Sequence, residues 1–187
     1  MTNNMFLRAI LISILMPMCW CRYTCPKIND TMEVNLTELA GEWYTVAATP
    51  ITGGIGSCLH FDVASNDQNF SMNYTTTSYR NNMRLLWKVA GEQSGTELSA
   101  TWLLTFRNTM IGPFRHQILE IDYQNYCTMI VCANDTKYIP KQMFGMIWAR
   151  KKTLSLDLLS ELKKSISRFV DEEDIRDVDN TCEGIQF

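Results

Sequence analysis

Gly41-Glu42-Trp43-Tyr44-Thr45-Val46-Ala47-Ala48-Thr49 is the stretch on which the fold turns. Its glycine lets the backbone turn closely before a run of aromatic and β-branched residues extends it, and Pro50 with Gly53, Gly54 and Gly56 ends that run. Seven more β-prone runs follow: Ser57 to Ala64, Phe70 to Ser78, Met83 to Ala90, Glu97 to Phe106, Phe114 to Asp122, Tyr126 to Cys132 and Met143 to Arg150. Asn66 with Asp67, Asn81 with Asn82, and Gly91 to Gly95 supply turn residues between them. Eight strands at this spacing predict an antiparallel meander that closes as a barrel or packs as a sandwich. The glycines after Pro50 make the first connection long, so a mobile first loop is expected.

One segment abandons the period of two. Leu154, Leu158, Leu159, Leu162, Ile166 and Phe169 recur at helical spacing, and Thr153 or Ser155 can cap the start, which predicts one amphipathic helix of about four turns over 154–170. Residues 22–38, before the first strand, show no periodicity and read as an irregular arm. At the front, Arg8 precedes an apolar run from Ala9 to Met16 and small residues at Cys19 and Cys21, the pattern of a secretory signal segment over 1–21. An ordinary buried N-terminal helix is the alternative.

The chain of 187 residues suffices for one domain with a sizeable core. We expect that domain to span 22–187, with no transmembrane segment, because no stretch reaches the ~20 apolar residues a membrane helix needs. A net charge of −3 offers no field for nucleic acid. Lys and Arg gather at Arg150 to Lys152 and at Lys163 and Lys164, read as a solvated helix face and start rather than a phosphate site. Five cysteines remain beyond the signal segment: Cys25, Cys58, Cys127, Cys132 and Cys182. They and the Asn-x-Ser/Thr sequons at Asn29, Asn35, Asn69, Asn73 and Asn134 fit a secreted, extracellular glycoprotein with two bridges and one odd thiol.

The combination of Gly41, Glu42, Trp43 and Tyr44 on the first strand, Asp122-Tyr123-Gln124-Asn125-Tyr126 on a late one, and Ile147-Trp148-Ala149-Arg150 on the last resembles the signature regions of the lipocalin family. These segments together with Cys25-Pro26, and with Cys182 matching too, make it look most like the apolipoprotein D and insect bilin-binding group. The resemblance implies an eight-stranded up-and-down barrel over about 41–150, with the helix packed outside and a tail running to 187. It implies that Trp43 packs across a closed end under the Arg150 guanidinium, so that Gly41, Trp43, Asp122, Tyr123 and Arg150 are structural. It also implies the pairs Cys25–Cys132 and Cys58–Cys182.

With Cys58 and Cys132 outward, alternation sends Leu59, Phe61, Val63, Met129 and Val131 inward, and His60 and Asp62 outward. Tyr74, Trp87, Trp102 and Phe106 join them as expected lining of an apolar cavity. Cys127, five residues before Cys132, faces away from it. It reads as a buried small hydrophobe, or as a cavity thiol of the kind a few lipocalins use as an isomerase nucleophile. His60 and His116 are the only histidines and lack ligand spacing, so no metal site, cofactor or histidine-based catalysis is expected. A haem site would need an inward histidine, for which only His116 qualifies. The expected function is extracellular transport of a lipid, fatty acid, sterol, retinoid or bilin, without enzymatic activity. The alternative is a secreted interaction protein that shows its loops to a protein partner such as a cell-surface receptor, with a vestigial cavity.

Overall fold

Inner residues that alternate with polar outer ones along eight consecutive strands are buried together when the sheet curls onto itself and closes. The computed structural model, which describes residues 25–51, 54–78, 80–133 and 143–182, has that form. The expected signal segment, Asn134 and the last five residues lie outside the described residues, as do Thr52 and Gly53 of the first loop. The strands are β1 (Gly41–Ala48), β2 (Ser57–Asn66), β3 (Asn69–Thr77), β4 (Arg84–Ser94), β5 (Glu97–Leu104), β6 (Thr109–Asp122), β7 (Tyr126–Ala133) and β8 (Met143–Ala149). Each pairs antiparallel with the next, and β1 closes the barrel by pairing with both β8 and β2.

A short helix α1 (Leu36–Leu39) lies before β1, and α2 (Leu156–Ser167) follows β8. The arm is therefore not wholly irregular: the Asn35 side chain accepts from Thr37 N and Glu38 N and nucleates one helical turn there. Helix α2 is shorter than predicted, beginning at Leu156 because Ser155 is the residue that caps it, with its Oγ accepting from Leu158 N. Leu162 and Ile166 of α2 are buried against Ile130, Ile147 and Ala149 in a second core outside the barrel wall.

Two strand boundaries depart from expectation. Gly91 to Gly95 is not all turn: β4 runs on through Ser94, and Gly91 sits opposite Phe70, whose Cζ would lie 2.6 Å from any added Cβ. The glycine makes room for a ring, and only Gly95 and Thr96 turn the chain. In turn, β6 begins at Thr109 rather than Phe114, carrying Gly112 and Pro113 inside the strand with a register shift opposite Ala100 and Trp102. Strand β5 stops at Leu104, so Phe106 lies on the 3₁₀ turn Thr105–Arg107 and not on a strand.

A ninth strand, β9 (Arg176–Asp177), comes from the tail and was not anticipated. Strands β1 and β2 pair only from Gly41↔Val63 to Tyr44↔His60; beyond that they part, and β9 takes the vacated side of Ala47 and Ala48. Asn180 fills the fork, accepting from Leu59 N at 2.9 Å and donating to Thr45 O at 2.8 Å. Cys58, at φ +55 in a bulge, donates its backbone N–H to Asp179 O and bonds through sulfur to Cys182. The second bridge, Cys25–Cys132, holds the arm on the outer wall, where Gln117 also binds Ile28 N and Pro26 O.

Candidate functional site

One end of the barrel is shut. Leu36 and Leu39 of α1 are buried in the inner core, Trp43 Nε1 donates to Leu39 O at 2.7 Å, and the Arg150 guanidinium lies 3.8 Å from the centre of the Trp43 ring. Arg150 donates to four main-chain carbonyls, those of Tyr123, Glu42, Glu38 and Ala40, at 2.9 to 3.0 Å. Gly41, at φ +97, is required beneath it, since an added Cβ would stand 3.3 Å from Arg150 Nη1. Asp122 accepts from Gln124 N and Asn125 Nδ2, which folds the β6–β7 turn and holds its carboxyl below the usual range. The Tyr123 hydroxyl accepts from Asn35 N, tying α1 to that turn.

The other end opens into a cavity of about 470 Å³. Its deep wall is Leu59, Tyr74, Trp102, Phe144 and Met146; Trp87, Leu104 and Ile111 rise above it, and Arg80, Asn81, Met83, Phe106 and Arg107 stand at the rim. No described lining residue is aspartate or glutamate. Tyr74 is anchored by a 3.2 Å hydrogen bond to Thr45 Oγ1, and burial pushes its phenol pKa up. The Trp102 indole N–H is buried with no partner in the protein.

The nine expected cavity residues, five of them sent inward by alternation, come to lie at different depths. Leu59, Tyr74, Trp87, Trp102 and Phe106 line the cavity, whereas Phe61, Val63, Met129 and Val131 are packed solid in the inner core toward the closed end. Phe61 shows why: its ring stacks at 5.2 Å on Tyr74 and meets Trp148 edge-on at 4.5 Å, which floors the cavity. Period two tells inside from outside and carries no information about depth. Phe144 and Met146 escaped the sequence reading although they alternate on β8 with the outward Gly145 and Ile147; no cysteine fixes the phase of that strand.

No protein-family model matches the sequence, and no curated protein sequence does either. Solved structures do. The chain superposes on the amine binding protein of Rhodnius prolixus in its tryptamine complex with a TM-score of 0.67 at 12% identity, covering 83% of this chain and 86% of that one. For insecticyanin from the tobacco hornworm Manduca sexta the score is 0.62 at 18% identity, over 83% and 86% of the chains. For lobster apocrustacyanin A1 it is 0.61 at 20% identity, over 78% and 79%. This is the lipocalin fold.

Within the lipocalin barrel the two residues on which other chemistries would rest are removed from the cavity. His116 points inward but lies behind Trp102, ring centroids 6.1 Å apart, and does not line the cavity. Neither of its ring nitrogens has a well-formed hydrogen bond. Burial lowers its pKa to about 4, only partly offset by the backbone of Leu98 and Phe114, so the ring is neutral. Cys127 is fully buried between the cross-strand partners Ile121 and Trp148 in the inner core, and burial alone pushes its thiol pKa up. Among the described residues no group of histidine, cysteine, aspartate or glutamate is arranged to hold a metal ion. No described helix is long and apolar enough to cross a membrane.

Proposed function

We propose that the protein is a secreted member of the lipocalin family, nearest the apolipoprotein D group, that carries a small hydrophobic molecule in the barrel after loss of residues 1–21. The observation that carries this is the cavity: about 470 Å³ of space, walled by aromatic and aliphatic side chains and open at one end only. A ligand burying roughly 300 Å² there gains several kcal/mol at about 25 cal/mol per Å², before the entropic cost of association. The unpartnered Trp102 N–H favours a ligand with one acceptor atom set in an apolar body.

The amine binding protein of Rhodnius prolixus holds tryptamine. A cationic amine needs a counter-charge when taken out of water, and none of the described lining residues of this cavity is a carboxylate. The ligand is therefore neutral or anionic, such as a fatty acid, sterol, retinoid or bilin. Four sequon asparagines, Asn29, Asn35, Asn69 and Asn73, are exposed, which supports passage through a glycosylating pathway, as do the two bridges.

Native mass spectrometry of the secreted protein, followed by organic extraction, tests the proposal. A stoichiometric apolar ligand, or saturable quenching of tryptophan fluorescence on adding one, is the expected result, since Trp87 and Trp102 line the cavity. An empty protein whose fluorescence ignores fatty acids, sterols, retinoids and bilins would leave the alternative, display of the loops to a receptor.

A further inference from the structure

The apolar residues that line the cavity are not mixed evenly around it. Three successive strands each contribute a ring: Tyr74 of β3 stands directly opposite Trp87 of β4, and Trp102 of β5, the partner of Val89, is the next diagonal step. Tyr74 and Trp102 are 30° from parallel with centroids 6.3 Å apart, and Trp87 stands at 71° to Trp102 at 6.2 Å. In a closed ring of eight strands β8 lies across from β4. From that side come Met146, the small Ala48 of neighbouring β1, and Phe144, whose ring stands at 80° to Trp102 at 6.5 Å.

These rings are held in place without a ligand. The Tyr74 hydroxyl is bonded to Thr45, and Trp102 packs on Phe114 at 4.9 Å and on His116 at 6.1 Å, neither of which lines the cavity. The result is a slot with a wall of aromatic faces on one side, an upright ring on the other and small or flexible groups beside it. An acyl chain gains no more from aromatic faces than from leucines, and it loses the freedom of each torsion when it binds. A fused-ring molecule has no such torsions to lose, and offset-stacked and edge-to-face contacts add to what its burial contributes. Aromatic faces also attract cations, but none of the described lining residues supplies a carboxylate to compensate a cation taken out of water.

Resting on the carrier reading, we propose that the molecule carried is a neutral, planar fused-ring compound, seated with one face against Tyr74 and Trp102 and its edges against Trp87 and Phe144, in preference to a flexible acyl chain. The space of about 470 Å³ is of the size that takes one such molecule. Ala48 and Met146 then cover its other face, the first because it is small and the second because its unbranched side chain adapts to the shape beside it.

Calorimetric titration with 2-acetylanthracene and with hexadecan-2-one, ketones of equal carbon number, tests this. The planar ketone should bind about tenfold tighter or more, although the chain has the larger apolar surface to bury. Trp102→Leu should weaken the planar ketone about tenfold and the chain ketone less than about twofold. Because Trp102 also packs on Phe114, Trp87→Leu, at a partly buried position, is the variant that keeps the fold, and it should cost the planar ketone about fivefold and the chain ketone little. Equal or tighter binding of the chain, or a loss in Trp87→Leu shared by both ketones, overturns this inference and leaves the carrier reading standing. So does tighter binding of dodecyltrimethylammonium, for then the rings serve a cation. Binding of neither ketone also overturns it, and the carrier reading falls with it only if fatty acids, sterols, retinoids and bilins fail to bind as well.

Discussion

Arg150 serves four carbonyl oxygens and one indole face from a single planar group, which no other side chain can do. Arg150→Ala should cost about 3 kcal/mol in urea unfolding, because carbonyls of α1, β1 and the β6–β7 turn lose their donors together. Arg150→Lys should recover little of it, since one ammonium cannot span the fork. His116 yields a pH signature. Its folded pKa of about 4 lies below the ordinary 6.5, so the unfolded chain binds the extra proton. The stabilisation from keeping this ring neutral is complete above pH 6.5 and is lost as pH falls toward 4. Between pH 7 and 5 the wild-type protein should lose about 2 kcal/mol that His116→Phe does not lose, read as the difference in urea midpoints.

At the scale of elements, the tail acts as part of the barrel. Strand β9 and Asn180 occupy the fork where β1 and β2 separate, and Asn180 is the only described side chain bonded to both Leu59 N and Thr45 O. Asn180→Leu keeps the volume and orphans one buried N–H and one buried C=O. We expect a loss of about 2–4 kcal/mol, with hydrogen exchange accelerated first at the Leu59 amide. Asn180→Asp, which can still accept from Leu59 N, should protect that amide better than leucine does. The tail was missed because two residues of strand have no readable period, and an asparagine near a chain end looks like any surface polar residue. Helix α2, by contrast, was legible from Leu158, Leu162 and Ile166, whose spacing of four needs no tertiary partner to be seen.

For the whole molecule, the open question is how a barrel with this many aromatic residues keeps room inside. The rings gather below: Trp43, Phe61 and Trp148 interlock toward the shut end, and Tyr74 and Trp102 form the boundary between packed core and empty space. Filling that space from above separates carrying from folding. Leu104→Trp with Ile111→Trp should reduce affinity for an apolar ligand at least tenfold by fluorescence or extraction, while the thermal midpoint changes little, since both residues border a void. Unfolding without either bridge checks a different contribution. Loops of 107 and 124 residues each give up to about 4–5 kcal/mol in the chain-entropy account, so the doubly reduced protein should unfold at far lower denaturant.

What the amino-acid order determined by itself is local or periodic. Alternation and turn residues mark the eight strands, a spacing of three and four marks the helix, and the resemblance of the segments around Gly41, Trp43 and Arg150 to the lipocalin signature regions implied the shut end. What only tertiary structure decided is depth and company. Phe61 and Tyr74 both point inward, yet one floors the cavity and the other lines it; Phe106 left its strand for the rim; Gly91 proved to be space for Phe70. Those outcomes depend on which residues from distant strands arrive at the same level of the barrel, a quantity set by register and closure, and neither is written in the period of any one strand.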